Sequence, residues 1–528
     1  MRTGGAAVVD ALQACGVSTV FGIPGTHNLE IYRYLSDSGI RHVTPRHEQG
    51  AGYAADGYAR ASGRPGVCIT TSGPGLTNIA TAAATAYADS VPMLVIAPGV
   101  PRGMVGADSG WLHETRNQQM VMSGLLSSTL RADTASEASA FIRQVFTSWP
   151  SQRPRPAYLE IPLDVLEGPW DGADSDAIQP PARHPLSPAA VCAAAAILRE
   201  GSTAFLVGGG AKDVGSPLVE LAERLGSPVV TTVNGKGAFP EAHPLSLGAS
   251  IRLPAAQDVI SNADTALLIG TEVADSDLWG GGLKPKGNLI RIDIDVRQLA
   301  KNLDATLQLP GDARDVVALL LGQLHDMPKK PYAELAEITA RPRARILADV
   351  EAQAAPWIPL HAGLVSCLPE DAIIAGDSSQ VSYYGTVHLW PVSSSRRFLY
   401  PTGYATLGYG LPAAIGAKIA WPGRPVLALV GDGAFMFSMS EMATAHEQRL
   451  GLPVIVVRNG GFGEIRREMD ERGITRMGVD LEVPQLRSVA RAFGARFSGP
   501  LDGYDDLPAL LSSAFEARVP TLIEVVIR

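Results

Sequence analysis

The sequence predicts an α/β protein built from three doubly wound domains, each with a parallel sheet. Short β-rich runs alternate with Ala-rich helical runs, and such alternation indicates parallel strands covered by helices on both faces. At 528 residues the chain is too long for a single core. Its 55 glycines and 18% charged residues are typical of a compact α/β protein with many tight strand–helix turns. We therefore expect domains over residues 1–165, 186–330 and 355–528.

The strands of the first two domains are predicted from β-rich hydrophobic runs. In the first domain the runs cover residues 19–22, 41–45, 66–71, 93–97 and 157–161. Residues 166–185 are rich in Pro, Asp and Gly and predict a linker. The second domain opens with Ser187 as N-cap and Pro188 as first helical residue. Its predicted strands cover residues 203–207, 228–232, 265–269 and 289–294. Charged helical sequence over residues 312–351 then leads to the third domain.

Two strand ends in the third domain carry the most informative residues. The hydrophobic run 426–430 leads into Gly431-Asp432-Gly433, and the run 453–457 leads into Asn459 and a glycine-rich turn. Carboxylate, carboxamide and turn-carbonyl oxygens are hard ligands suited to Mg²⁺, which often bridges to phosphate groups. The glycines allow backbone N–H groups to approach a phosphate at a helix start. The pattern predicts a Mg²⁺-diphosphate site, although a lone Gly-Asp-Gly is also found in ordinary turns.

Composition and charge exclude several other classes of function. The net charge of −9, from 44 basic and 53 acidic residues, argues against a nucleic-acid or anionic-membrane partner. The four cysteines have no CxxC spacing, so neither a zinc site nor a disulfide framework is expected. No signal-peptide core and no apolar run near the ~20 residues of a membrane span is visible. We expect a cytoplasmic protein with no membrane partner.

Four motifs resemble those of thiamin-diphosphate enzymes of the acetolactate synthase and 2-oxo acid decarboxylase superfamily. They cover residues 21–25, 46–60, 72–78 and 408–417, and the resemblance extends along essentially the whole chain. It implies a pyrimidine-binding domain, a central domain and a diphosphate-binding domain, in that order. It also implies thiamin diphosphate and Mg²⁺ as cofactors, and a homodimer or homotetramer. In that superfamily the pyrimidine and diphosphate domains of different subunits meet to enclose each cofactor.

The resemblance assigns cofactor roles to particular residues. Glu48 matches the glutamate that hydrogen-bonds the pyrimidine ring, and its alternative is a solvated acid stabilised by a helix dipole. Leu407 matches the apolar residue that supports the bent cofactor, with core packing as its alternative, and Ala405 would offer its carbonyl to the amino group. The implied metal ligands are Asp432, Asn459 and the carbonyl of Gly461. The other implied cofactor contacts are Pro24, Asn78, Ser378, Ser379, Gln380, Gly431, Gly433 and Ala434.

The substrate side of the resemblance rests on fewer residues. His113 matches a proton-relay histidine of pyruvate decarboxylases, and its alternative is a surface-loop histidine. His27 falls at a turn that the superfamily places over the reacting carbon, whereas a helix start capped by Thr26 is the alternative. Glu464 falls where relatives line the substrate pocket. A carboxylate there suits a cationic substrate, or it pairs with an arginine at residue 458, 466 or 467.

These motifs predict non-oxidative decarboxylation of a 2-oxo acid. They look most like the 5-guanidino-2-oxopentanoate decarboxylase branch, which suggests a substrate with a cationic side chain. A carboligase of the acetolactate synthase type is the principal alternative, and a non-catalytic binding protein is another. A Rossmann oxidoreductase is disfavoured because no strand–GxGxxG–helix unit with a downstream acid is present. We expect no FAD, because the acids Glu272, Asp275 and Asp277 would be poor neighbours for a diphosphate.

Overall fold

Three parallel sheets form the protein, and their strand orders are β2-β1-β3-β4-β6-β5, β11-β10-β9-β7-β8 and β13-β12-β14-β15-β17-β16. This computed structural model describes residues 2–172, 181 and 184–527. The three-domain α/β fold class is confirmed, and each sheet lies within one of the predicted domain ranges. Half of the predicted linker, residues 173–180 and 182–183, lies outside the described residues. Among the described residues, no helix is both long and apolar enough to cross a membrane.

The strands are short and mostly buried, as expected for parallel sheets with helices on both faces. In the first sheet they are Thr19–Gly22 (β1), Arg41–Val43 (β2), Gly66–Ile69 (β3), Met93–Gly99 (β4), Ser128–Arg131 (β5) and Ala157–Pro162 (β6). In the second they are Thr203–Val207 (β7), Val229–Thr231 (β8), Thr265–Ile269 (β9), Asn288–Asp293 (β10) and Leu307–Pro310 (β11). In the third they are Ile373–Gly376 (β12), Phe398–Leu399 (β13), Val426–Gly431 (β14), Pro453–Arg458 (β15), Arg496–Ser498 (β16) and Thr521–Val526 (β17).

Helices connect the strands and cover the sheets. Those of the first domain are Gly4–Ala14 (α1), Leu29–Leu35 (α2), Glu48–Ser62 (α3), Pro74–Ala88 (α4), Gln118–Ser123 (α5), Ala135–Ser148 (α6) and Leu163–Glu167 (α7). The central domain has Pro188–Leu198 (α8), Ser216–Leu225 (α9), Pro254–Asn262 (α10), Asp275–Leu278 (α11) and Ala313–Gln323 (α12), and Tyr332–Ala354 (α13) follows it. The third domain has Ile358–Cys367 (α14), Val387–Leu389 (α15), Gly410–Ala420 (α16), Asp432–Ser438 (α17), Glu441–Glu447 (α18), Gly463–Glu471 (α19), Leu486–Ala492 (α20) and Leu507–Glu516 (α21).

The first and third domains share one hydrophobic core, in which α3 packs directly on α16. Glycines at the crossing bring the two backbones together. A Cβ on Gly57 would lie 2.2 Å from the carbonyl oxygen of Ala413, and one on Gly416 would lie 1.8 Å from that of Ala54. The buried Arg60, also on α3, pairs with Asp56 and Asp89 at 2.6 and 2.8 Å. This crossing fixes the orientation of the two domains.

Gly416→Ala should destabilise the protein, because the new methyl group would overlap a backbone carbonyl that cannot turn away. We expect a loss of about 1–3 kcal/mol, despite the better helix propensity of alanine. Denaturant unfolding followed by circular dichroism measures the effect. Gly423→Ala is the matched control, since a Cβ there meets nothing within 4 Å. Equal unfolding midpoints for the two variants would contradict the tight crossing.

Candidate active site

Three loops of the third domain meet at one edge of its sheet. The strands β12, β14 and β15 are neighbours, so the loops that follow their carboxyl ends lie side by side. They bring together residues 377–380, 431–433 and 459–463. The loops border a cavity of about 550 Å³ that also touches the central domain. The following predicted cofactor residues line it: Ser378, Ser379, Gln380, Ala405, Leu407, Gly431, Gly433 and Ala434.

The three predicted metal ligands converge in these loops. Asp432 is fully buried, and its Oδ2 atom accepts hydrogen bonds from the backbone N–H groups of Gly460 and Asn459, at 2.8 and 3.2 Å. The carboxamide oxygen of Asn459 lies 3.0 Å from the carbonyl oxygen of Gly461 and 3.1 Å from Oδ1 of Asp432. Turning the amide over would let its nitrogen donate to both of these oxygens. The three residues together offer carboxylate, carboxamide and carbonyl oxygens at one point, which is the donor set that Mg²⁺ prefers.

The loop after β12 is held by a buried carboxyl group. Ser379 donates a hydrogen bond from its hydroxyl to Asp377 and accepts one from the backbone N–H of Gly431 at 3.0 Å. Burial raises the pKa of Asp377 to about 7, against the opposing effect of the hydrogen bonds from Ser379 and Gly431. A Cβ on Gly431 would lie 2.7 Å from the Ser379 hydroxyl oxygen, so a glycine is needed there. Asp377 thus helps to hold this loop in place.

Ala405 and Leu407 lie on a loop that borders the same cavity. Ala405 has φ = 49°, a left-handed conformation that is uncommon for a residue with a Cβ. Leu407 is only partly buried, and its side chain lines the cavity instead of filling the core. Its position therefore suits a residue that supports a ligand better than one that packs the interior.

The predicted residues of the first domain form a second group. Glu48 begins α3 with 9% of its surface exposed, and its Oε2 accepts a hydrogen bond from the carboxamide of Asn78 at 2.9 Å. The preceding loop is tied to the third domain, because the buried Glu441 accepts hydrogen bonds from the backbone N–H groups of Arg46 and His47 at 3.0 and 3.1 Å. Sequence analysis did not identify Glu441 as a residue that connects the two domains, because nothing in the sequence distinguishes it from other helical acids.

The two predicted histidines lie together. The rings of His27 and His113 are 5.2 Å apart and meet edge to face. His27 Nδ1 is 2.6 Å from the hydroxyl of Ser72, whereas Nδ1 of His113 is buried without a hydrogen-bond partner. Burial, and then the neighbouring His113, lower the pKa of His27. His113 has φ = 61°, and Glu114 fixes its loop by accepting hydrogen bonds from the backbone of Ser109 and Trp111.

The two groups do not both line the 550 Å³ cavity. Its lining residues among those that the structure describes lie between Val233 and Glu468, and none of them comes from the first domain. Pro24, Thr26 and Asn78 are exposed instead. Around each group lie exposed apolar side chains: Leu29, Leu112, Met120 and Val121 in the first domain, and Tyr404, Phe437, Ile465 and Met477 in the third.

Glu464 lines the cavity but already has partners. It forms an ion pair with Arg467, one of the alternatives that the sequence left open, and accepts hydrogen bonds from Gln380 and Tyr384 at 2.9 and 3.0 Å. Burial by itself raises its pKa, but the hydrogen bonds from Arg467 and Gln380 outweigh burial and hold the pKa below its usual value. Arg458, the residue before Asn459, was another of these alternatives, and it forms an ion pair with Glu524 at 2.6 Å instead.

A larger cavity of about 910 Å³ separates the first and central domains. It lies at the carboxyl ends of β7, β9 and β10, where Glu272 pairs with Arg153 and Lys301 at 2.9 and 3.0 Å. Burial raises the pKa of Asp293 in its lining to about 6. Carboxylates therefore contribute much of the polar lining, and the expectation that no FAD binds stays a prediction.

Comparison with known proteins identifies the domains that carry these two groups. Three family profiles match in order: the N-terminal TPP-binding domain of thiamine pyrophosphate enzymes over residues 2–121, their central domain over 191–320, and their C-terminal TPP-binding domain over 377–525. The probable 2-ketoarginine decarboxylase AruI of Pseudomonas aeruginosa is 41% identical over 99% of this chain and 94% of its own length. The acetolactate synthase isozyme 1 large subunit of Escherichia coli is 31% identical over 99% and 93%. The chain therefore belongs to the thiamine pyrophosphate enzymes and is an enzyme that depends on thiamin diphosphate.

Proposed function

We propose that this enzyme decarboxylates, without oxidation, a 2-oxo acid that has a guanidino side chain, using thiamin diphosphate and Mg²⁺. The observation that carries the proposal is the oxygen cluster of Asp432, Asn459 and Gly461 beside the loop 377–380. A relative that is 41% identical along the whole chain is named for 2-ketoarginine, a 2-oxo acid of this kind. The cofactor site in this proposal comes from the geometry of this chain, and the substrate class comes from the name of a relative.

The residues present fit the cofactor. Asp432, Asn459 and the Gly461 carbonyl would hold the metal, and the hydroxyl group of Ser378 is suited to the diphosphate. When bound, thiamin diphosphate supplies the carbon nucleophile that adds to the 2-oxo group and the electron sink for the departing carboxylate. Leu407 would support the cofactor from one side of the cavity.

Proton transfer is assigned to side chains of the first domain. Glu48 is largely shielded from water and would share a proton with a ring nitrogen of the pyrimidine. His27 and His113 form a pair that would hold and deliver the proton needed to release an aldehyde. The lowered pKa of His27 favours a neutral ring there.

A complete site requires two chains in this proposal. The metal loops and Glu48 are on separate surfaces of one chain, and apolar side chains are exposed around both. Such exposed patches are typical of protein interfaces. We propose a homodimer, or a homotetramer built from such dimers, in which the first domain of one subunit covers the metal loops of the other.

A panel of 2-oxo acids tests the function. Pyruvate and branched, aromatic and guanidino 2-oxo acids are supplied with thiamin diphosphate and Mg²⁺, and CO₂ and aldehyde are both measured. We expect CO₂ and aldehyde in equal amounts, with the highest kcat/KM for the guanidino acid. The resemblance to acetolactate synthases supports carboligation as the second candidate, and CO₂ release without aldehyde would favour it. No CO₂ from any acid would exclude decarboxylation.

A further inference from the structure

The central domain supplies one wall of the cavity that holds the metal loops. This wall comes from the short helix α11, the residue that follows it and the loop before α10, which contribute Asp277, Trp279 and Arg252. Asp277 lies between two cavities, because it also lines the 910 Å³ cavity between the first and central domains. None of these three residues belongs to a motif that predicted the cofactor site. Their charges and their partners indicate which kind of ligand the wall accepts.

Three carboxylates line the cavity, and two of them have cationic partners. Glu464 pairs with Arg467, and Glu468 pairs with Arg472 at 3.0 Å. Asp277 differs, because no cationic side chain among the described residues pairs with it. Its one favourable contact is the backbone N–H of Ala274.

The environment of Asp277 disfavours the negative charge of its carboxylate. Burial raises its pKa to about 7, and the carboxylates of Asp89 and Glu272 act in the same direction. Both of those neighbours are already neutralised, by Arg60 and by Arg153. Buried carboxylates are normally paired with a cation or coordinated to a metal. Within the described part of one chain no side chain neutralises Asp277, and a bound cationic ligand can supply that charge.

The rest of the wall favours a planar cation. Trp279 lies two residues after Asp277 with its ring about half exposed, and aromatic faces attract guanidinium groups. Arg252 cannot neutralise Asp277, because its guanidinium is held over the rings of Trp279 and Tyr384, at 4.8 and 5.4 Å. Its Nε atom also donates to His388 at 3.0 Å, and its Nη1 atom donates to Gln353 at 2.6 Å. The wall thus already holds one guanidinium against aromatic rings.

We propose that Asp277 binds the cationic end of the substrate and determines the specificity of the enzyme for guanidino 2-oxo acids. This inference rests on the proposed decarboxylase function. It moves the charge-recognition role from Glu464, whose carboxylate Arg467 neutralises, to a carboxylate that has no cation of its own. The ligand would gain a charge-assisted hydrogen bond, and the protein would lose a buried unpaired charge.

The test compares Asp277→Asn with Asp275→Asn, a change of an exposed acid on the same helix. Asparagine keeps the size of the side chain and removes the charge, so folding should be preserved. With 5-guanidino-2-oxopentanoate we expect KM to rise by about 10- to 100-fold in Asp277→Asn. With the neutral 2-oxohexanoate the change should stay within about threefold, and Asp275→Asn should resemble wild type with both acids. Asp277→Glu, which restores the charge, should recover part of the preference.

A binding measurement separates this inference from the proposed function. Calorimetry with 5-guanidinopentanoate, which lacks the 2-oxo group and cannot react, reports cation binding in the absence of turnover. Binding that is lost in Asp277→Asn and kept in Asp275→Asn supports the inference, even if no 2-oxo acid is decarboxylated. Decarboxylation of the guanidino acid with equal KM in wild type and Asp277→Asn would overturn the inference and leave the proposed function standing. Absence of both binding and decarboxylation in wild type would overturn both.

Discussion

Glu48→Gln should lower kcat by about 100- to 10,000-fold while the protein still binds thiamin diphosphate. Glutamine keeps the length of the side chain and can still accept a hydrogen bond from Asn78, which lies 2.9 Å from the carboxylate. It cannot share a proton with a pyrimidine nitrogen, so the step that activates the cofactor would fail. Steady-state kinetics at saturating cofactor, together with calorimetric titration of the cofactor, measure the two effects separately.

Glu447→Gln provides the control for this substitution. Glu447 is exposed on α18 and pairs with Arg46, close in sequence to Glu48 but outside the proposed site. Its replacement should leave kcat unchanged within about twofold, because an exposed ion pair contributes little. A wild-type kcat in the Glu48→Gln variant would show that Glu48 has no catalytic role. A parallel loss of cofactor binding would show instead that Glu48 acts only in holding the cofactor.

The metal loops could be predicted because parallel sheets impose a simple geometry. Each of Asp432 and Asn459 follows a hydrophobic strand, and neighbouring parallel strands end at the same edge of the sheet. Sequence spacing was therefore enough to predict that the two residues meet. The pairing of Glu464 with Arg467 could not be predicted in the same way. From its place in the first turn of α19, the Glu464 side chain can reach both the cavity and the arginine.

The central wall of the cavity could not be predicted from the sequence. Arg252 and Asp277 come from separate connections of the second domain, and they meet the metal loops only through domain packing. The edge strand β5, Ser-Thr-Leu-Arg, was not predicted, because it is only partly buried along its length and lacks the continuous hydrophobic run of a central strand. The interior strands of the first two sheets carry that run and were predicted, whereas β17, an interior strand of the third sheet, was missed.

Coexpression of Glu48→Gln and Asp432→Asn chains should restore about one quarter of wild-type activity, although each variant alone is nearly inactive. If each site combines Glu48 of one chain with Asp432 of another, a mixed dimer has one site with both substitutions and one with neither. Random pairing makes half of the dimers mixed, and half of their sites are intact. Differently tagged chains allow the mixed dimer to be purified, and its CO₂ release should be about half that of wild type.

A shared site is expected because the two groups of residues lie apart in one chain. The described residues of the first domain do not line the cavity beside Asp432, and the Asn78 that contacts Glu48 is exposed. If a single chain formed the whole site, every site in the mixed sample would carry one substitution, and activity would stay at the level of the separate variants. Coexpressing two differently tagged copies of the Glu48→Gln chain controls for the tags, and it should yield no recovery. Recovery confined to the mixed dimer therefore distinguishes a shared site from two sites that merely lie in a dimer.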